Sequence, residues 1–264
     1  MKKSDFLIYA HYDANGIIRK DIINFLKISS KNYKKIIFVS TKLNRKEISK
    51  FSKNTKIIIR KNVGYDFYSY KVGLNYILKK FANYYKEKIY FLNSSIIILE
   101  PRKFLRKIIK INFKKNEIWA LTKSFELTEH LQSFFLIFDL KKIDINLFLN
   151  WWKKVKKYND RWKVVRQYEI GLSMHFKENN YSLKSLFADN VKMYPDTFYK
   201  KTKQRLNNYF YKKIKIYKKS PIHYYWIKIY KNYGIIKLDL ITKNQFNLDL
   251  SYLKKIRKKH NKLL

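Results

Sequence analysis

Cysteine is absent from the 264-residue chain, which excludes disulfide frameworks, thiolate zinc sites and cysteine nucleophiles together. Proline occurs three times and glycine five times, and no Pro, Gly or Ser linker and no internal repeat divides the chain. Acids are scarce too: 19 Asp plus Glu stand against 60 Lys plus Arg, for a formal net charge of +41. Long apolar runs are missing as well. The longest uncharged stretch, Ile89 to Leu99, is too short to cross a bilayer, and Phe6 to Ala10, behind Lys2 and Lys3, is too short for a secretory leader. The expectation is a cytoplasmic or membrane-peripheral protein. There is no Gly-x-Ser-x-Gly elbow, no phosphate loop ending in Gly-Lys-Ser/Thr, no Gly-x-Gly-x-x-Gly turn and no His-Glu-x-x-His pair, so the motifs of hydrolases, nucleoside triphosphatases, dehydrogenases and metalloproteases are absent.

What the chain does have is apolar mass. With 46% hydrophobic and 18% aromatic residues it can bury a substantial core, which argues against a disordered polycation, and its length allows one large domain or two small ones. The charge attracts nucleic acid, anionic lipid or phosphorylated substrates without separating them. A plainer reading is genomic: Lys, Ile, Asn, Tyr and Phe all have A/T-rich codons, and much of the charge then lies on solvated faces. Position adds something, because residues 200–264 hold 19 Lys plus Arg and two Asp. From Lys200 to Lys219 there are nine basic residues and no acid, interleaved with Tyr209, Phe210, Tyr211 and Tyr217. That mixture suits a membrane interface and also a nucleic-acid groove, although no helix-turn-helix or ribonucleoprotein motif accompanies it.

Phe6 to Ala10, Ile36 to Val39 and Lys56 to Ile59 are apolar runs of strand length. Ile18, Ile22, Phe25 and Leu26 repeat at helical spacing between the first two, and Arg45 to Phe51 can form a short helix before the third. Strand alternating with helix predicts an α/β fold with a doubly wound, mostly parallel sheet. Tyr70 to Phe81 then reads as a helix, Ile89 to Leu92 as a strand, and a second apolar run ends at Pro101. Phe104 to Ile111 reads as a helix, Ile118 to Thr122 and Ser133 to Phe138 as strands, Tyr168 to Lys177 as a helix, and Ser182 to Phe187 as a strand. Tyr224 to Tyr230 and Leu253 to Lys262 complete the pattern as helices.

Ligands of such sheets bind beyond the carboxyl ends of the strands, so the segments after each run carry the candidates. Asn62, Gly64 and Asp66 offer turn amides, a side-chain amide and a carboxylate, which suit a ribose, base or sugar hydroxyl; a capped loop is the plainer reading. Lys71, a turn past Phe67, can face a phosphate or simply be solvated. His11 and Asp13 flank Tyr12 and share one side of an extended strand, but no third metal ligand is identifiable, which favours loop hydrogen bonding. Glu169 opens an apolar-periodic stretch and is either an electrostatic cap or a general base. His130, Gln132 and Ser133 precede an apolar strand, where the plain reading is a satisfied polar network.

Several blocks carry a likeness: Asn62-Val-Gly-Tyr-Asp-Phe-Tyr-Ser-Tyr-Lys-Val-Gly-Leu74, Leu92-Asn-Ser-Ser95 followed by Pro101, Trp119-Ala-Leu-Thr122, and His130-Leu-Gln-Ser-Phe-Phe-Leu-Ile-Phe138. Tyr168-Glu-Ile-Gly-Leu172, Asn180-Tyr181, Ser220-Pro-Ile-His-Tyr-Tyr-Trp226 and Ile235-Ile-Lys237 continue it. In this order the blocks resemble the rhamnan synthesis protein F family from about Phe6 to Leu240. The resemblance implies a role in building bacterial cell-surface polysaccharide, such as lipopolysaccharide O-antigen, by adding rhamnose or a related sugar from a nucleotide donor. It also implies a GT-A-like fold.

Large inverting GT-A glycosyltransferases are similar in layout, and their Asp-x-Asp holds a divalent metal on the donor diphosphate. Here Asn93, Ser94 and Ser95 stand at that position, and neutral groups cannot hold magnesium or manganese as two carboxylates do. Either Lys or Arg neutralises the diphosphate or Asp66 and Asp13 supply a metal from another direction; metal independence is the expectation. By the same resemblance Glu169 stands where the base would be. One base and an in-line attack invert the anomeric centre, so a β-linked nucleotide rhamnose would yield an α-rhamnoside. The resemblance puts His11, Tyr12, Asp13, Asn62, Gly64, Lys71, Asn93, Ser94 and Ser95 on the donor side, Asp66 and Glu169 at the chemistry, and His130, Gln132 and Ser133 by the acceptor or sugar. The expected organisation is a glycosyltransferase domain over 1–198 and a basic extension over 199–264. The expected partners are a nucleotide sugar such as dTDP-rhamnose, a lipid-linked glycan and the anionic inner face of the plasma membrane. A non-catalytic scaffold of the same fold is the alternative, and a nucleic-acid partner the less favoured one.

Overall fold

Strands that read as unbroken apolar runs are those covered on both faces. A computed structural model describes residues 4–187, 219–261 and 263. In chain order it contains β1 (Ser4–His11), α1 (Lys20–Ser29), β2 (Tyr33–Ser40), α2 (Arg45–Ile48), β3 (Thr55–Ile59), α3 (Tyr65–Lys80), β4 (Lys88–Asn93), β5 (Ile96–Ile98) and α4 (Pro101–Ile109). Then follow β6 (Glu117–Ala120), β7 (Lys123–Ser124), β8 (His130–Leu131), β9 (Phe135–Asp139), α5 (Ile145–Lys154) and α6 (Arg161–Val164). A π-helical turn (Val165–Ile170) leads into α7 (Gly171–Glu178) and β10 (Ser182–Ser185). The chain closes with α8 (Pro221–Tyr224), α9 (Trp226–Tyr233), β11 (Ile235–Lys237), α10 (Leu238–Thr242) and α11 (Leu253–Lys259).

Seven strands form one sheet in the order β10-β6-β9-β4-β1-β2-β3. The α/β, mostly parallel architecture expected from the strand and helix order is therefore the one found. The exception is β9, antiparallel to both β4 and β6. This reversal decides what reaches the site, because the residues before β9 emerge at the same edge as the residues after β4, where Leu92 pairs with Phe135.

Alternation along β1 divides the core. Leu7 and Tyr9 face one layer with Ile22, Phe25 and Leu26 of α1, and Phe6, Ile8 and Ala10 face the other with Phe67, Tyr70, Leu74 and Ile77 of α3. Each such large side chain, fully buried, contributes about 1.5–3 kcal/mol. The second layer also holds Trp152 of α5, stacked on Phe91 at 4.9 Å. Sequence periodicity missed this helix, although Asp144 caps it by accepting from the N–H groups of Asn146 and Leu147.

Beyond residue 219 the chain comes back to β5 and forms a separate two-stranded sheet with it. β11 pairs antiparallel with β5, Lys237 opposite Ile96, and Ile97, Leu99, Trp226, Tyr230, Ile236, Leu240, Leu253 and Ile256 make a third apolar cluster. The expected boundary at 198/199 and the stretch from Lys200 bearing Tyr209, Phe210, Tyr211 and Tyr217 lie outside the described residues.

The return is fixed at Gly234, which sits at φ +69° after α9 and whose carbonyl accepts from the N–H groups of Leu99 and Glu100. A Cβ here would lie 2.3 Å from Glu100 Cβ. Gly234→Ala is expected to lower stability by about 2–4 kcal/mol, through left-handed strain and overlap. Gly171→Ala, whose added Cβ meets nothing nearer than an oxygen at 3.6 Å, is expected to be neutral or to stabilise by up to about 1 kcal/mol. Urea unfolding of the two variants checks both signs.

Candidate active site

The turn that follows β4 is built from polar residues held by their neighbours. Asn93 N–H donates to the Phe134 carbonyl at 3.2 Å and Ser94 N–H to the Ala10 carbonyl at 3.0 Å. Arg19 grips the turn from below, donating to the carbonyls of Ser94 and Ile96, each at 2.7 Å. Buried Asp21 aims that guanidinium at 2.9 Å and also accepts from Ile98 N–H. Arg19 and Asp21 went unnoticed in the sequence; the signal was an acid one position before Ile22 on a buried helix face, where an unpaired carboxylate is not tolerated.

Four side chains then form one directed chain of hydrogen bonds. Lys237 Nζ donates to Ser95 Oγ at 2.7 Å, Ser95 Oγ donates to Asn93 Oδ1, and Asn93 Nδ2 donates to Asp66 Oδ2 at 2.7 Å. Lys237 Nζ also lies 4.6 Å from the Phe134 ring centroid. Burial pushes Asp66 up to about 6, helped by Glu169 and opposed by Lys237, Arg60 and the Asn93 bond. Burial pulls Lys237 below its ordinary value, against the fields of Asp239, Glu169 and Asp66. Burial would raise Asp239, but the His223 hydrogen bond at 2.7 Å and the nearby Lys237 leave it below its ordinary value.

Asp66 reaches this chain because Arg60 organises the loop before α3. Its guanidinium donates to the carbonyls of Lys61, Val63 and Tyr65 and to Ser69 Oγ. Gly64, at φ +79°, turns the chain and donates its N–H to the Tyr158 carbonyl. Asn62 is exposed at the rim of that loop. Lys71, expected at a phosphate, instead donates to the carbonyls of Lys153 and Val155 at 2.8 and 2.7 Å, where it satisfies the carboxyl end of α5.

Glu169 stands on the π-helical turn, a local widening common at functional sites. One carboxylate oxygen accepts from Ser133 N–H, and among the described residues the other has no protein donor. Tyr70 O–H donates to the Ser133 carbonyl at 2.9 Å, so Ser133 is held from both sides. Gln132 accepts from Thr122 O–H at 2.6 Å. His130 is buried and bonds the Thr128 carbonyl within its own loop.

The first strand's residues divide. His11 turns inward to Ser40 Oγ at 2.9 Å and stacks on Phe38. Tyr12 is 56% exposed, its N–H on Ser94 Oγ at 3.2 Å. Asp13 accepts from the N–H groups of Asn15 and Ile17, both at 2.9 Å, in an Asx turn. His11 and Asp13 therefore do not converge on one point. A divalent metal, which the fold type would imply at the β4 turn, does not fit the donors present: the Asn93 amide oxygen accepts two bonds from Ser95, and Ser95 Oγ meets an ammonium. Among the described residues no three or more His, Cys, Asp or Glu side chains are grouped to hold a metal.

Asp66 and His11 titrate with opposite sign. Asp66, raised from 3.8 to about 6, holds its proton more tightly when folded, so its contribution to stability is lost as pH rises through that range. His11, lowered by burial from 6.5 to about 4, resists protonation when folded, so its contribution is lost as pH falls through that range. Relative to wild type, Asp66→Asn is expected to gain stability as pH rises from about 4 to about 6, and His11→Asn as pH falls from about 6.5 to about 4, each by about 1–3 kcal/mol. Chemical denaturation across that range checks both slopes.

A protein of Sinorhizobium fredii, y4gN, is 27% identical over 190 residues, covering 70% of this chain and 49% of that protein. Virulence protein VirA of Vibrio anguillarum is 25% identical over 197 residues, covering 71% of this chain and 62% of that one. The chain thus spans about half to three-fifths of these relatives. Among solved structures, the glycosyltransferase GlyE of Streptococcus pneumoniae TIGR4 is similar with a TM-score of 0.39 and 17% identity, over 69% of this chain and 45% of that one. The family model of rhamnan synthesis protein F matches residues 36–259, a span that takes in the loop of Asp66, the β4 turn, Glu169 and the returning strand of Lys237, and the chain belongs to that family.

Proposed function

We propose that the chain is a glycosyltransferase of polysaccharide synthesis, moving rhamnose or a related sugar from a nucleotide donor such as dTDP-rhamnose to a lipid-linked glycan with inversion. The observation that carries this reading is the setting of Glu169. Its carboxylate is oriented by Ser133 N–H, keeps one oxygen for a substrate proton, and lies near enough to Asp66 and Lys237 to act on both electrostatically. A general base needs this combination of a fixed orientation and an unoccupied acceptor site. The acceptor oxygen would form its bond to the anomeric carbon from the face opposite the leaving group, its proton passing to Glu169, while the carbon–oxygen bond to the diphosphate breaks.

Asn62, Gly64 and Asp66 suit the nucleoside, and the exposed Tyr12 beside Ser94 can cover it. Gln132 and Ser133 suit the sugar or acceptor. No helix among the described residues is long and apolar enough to cross a membrane. α11 buries Leu253 and Ile256 and exposes Lys254, Lys255 and Lys258, a face suited to the anionic inner leaflet, where about 1 kcal/mol per basic residue is available.

Glu169→Gln is expected to lower transfer about 100-fold or more, while calorimetric affinity for the nucleotide sugar stays within about threefold, less than 1 kcal/mol. The assay incubates the protein with nucleotide sugars and a lipid-linked acceptor and weighs the products by mass spectrometry. Unchanged turnover eliminates Glu169 as the base. If no nucleotide sugar binds the wild type, a non-catalytic scaffold of the same fold becomes the better reading.

A further inference from the structure

Lys237 is unusual even in so basic a chain. It lies at the end of β11, its stem enclosed, its ammonium brought to the turn at the carboxyl end of β4. Removing an ammonium from water costs several kcal/mol unless something replaces the water. What replaces it here is one hydrogen bond to Ser95, the face of Phe134, and the fields of three carboxylates. Among the described residues no hydrogen-bond acceptor other than Ser95 Oγ meets its three N–H groups, so two remain for a ligand.

The bond direction gives the role. Ser95 Oγ has given its proton to Asn93, and Asn93 has given an N–H to Asp66. A cation approaching Ser95 would have to compete with the Lys237 ammonium for the lone pairs of Oγ, and would meet a like charge. We infer that Lys237 takes the place of a divalent metal and binds the diphosphate of the nucleotide donor through its two remaining N–H groups. The inference rests on the glycosyltransferase reading, which supplies the diphosphate. In the transfer step, the bonding electrons of the broken carbon–oxygen bond leave with the nucleoside diphosphate, and Lys237 meets the charge that develops on its bridging oxygen. The proton of the acceptor hydroxyl goes to Glu169, so charge and atoms balance. Burial makes this effective: an ammonium in a partly desolvated cleft interacts with phosphate several-fold more strongly than one in bulk water.

The test is calorimetry on the full chain with UDP, GDP and dTDP and with the corresponding nucleosides, each with EDTA and again with manganese. The wild type is expected to bind one diphosphate in EDTA, with affinity changed less than about threefold by manganese. Lys237→Met, which keeps the stem and removes the charge, is expected to weaken that diphosphate about 10- to 100-fold, the worth of one or two charge-assisted hydrogen bonds, and to leave nucleoside affinity unchanged. Lys237→Arg is expected to retain most of the diphosphate affinity. Binding that requires manganese, or equal losses for nucleoside and diphosphate in Lys237→Met, overturns the inference while leaving the glycosyltransferase reading intact. Failure of the wild type to bind any diphosphate under either condition overturns that reading and the inference with it. The wild-type measurement needs no variant and can overturn the inference by itself, and comparison with Lys237→Gln tests the lysine if Lys237→Met does not fold.

Discussion

The arrangement at the carboxyl edge of the sheet depends on the amide of Asn93. An amide both donates and accepts, and this one does each toward a different part of the chain: its N–H reaches Asp66 at the start of α3, and its oxygen accepts from Ser95 beside the returning strand. A carboxylate at the same point could not donate. Two carboxylates within 2.7 Å would need a shared proton or a cation between them. The neutral residue thus holds Asp66 beside the turn through a hydrogen bond, while burial raises that carboxyl to about 6.

The relay also ties together parts of the chain remote in sequence. Ser95 and Lys237 are joined across 142 residues, and the join is made possible by the antiparallel pairing of β5 with β11 and by the apolar cluster around Trp226. Reversal of β9 does the same for Ser133, which arrives at the cleft beside Asn93 and receives Glu169 there. Neither feature is decoration on the sheet. Without the reversed strand Glu169 loses the N–H that orients it, and without the returning one Ser95 Oγ has no ammonium beside it.

These long-range joins mark the limit of what the sequence discloses. Helix α3 and strands β1 to β4 were legible because buried strands read as apolar runs and a helix face repeats every third or fourth residue. Asp66 and Asn93 stood out as polar residues placed after such elements, and Glu169 as the acid that opens an apolar-periodic stretch. The direction of β9 was not, since Phe135 to Asp139 is covered on both faces and reads alike whichever way it runs. Lys71 was misread because a lysine one turn into a helix looks the same whether it faces a phosphate or the end of a neighbouring helix. Lys237 is one of 60 basic residues, and nothing local distinguishes a lysine that will be buried from those that stay in water.

That last point bears on the charge as a whole. At physiological salt, exposed charges are screened within about 8 Å, so most of the +41 adds only a diffuse attraction for anions and cannot by itself hold a diphosphate in register. A single ammonium inside the cleft acts differently. Opposite charges 4 Å apart attract by about 1 kcal/mol in water and about 4 kcal/mol in the intermediate dielectric of a protein edge. The fields of Asp239, Glu169 and Asp66 oppose the burial that pulls Lys237 below its ordinary value, and so favour its charged form. A chain with few acids has thus placed three of them, Asp66, Glu169 and Asp239, around one lysine.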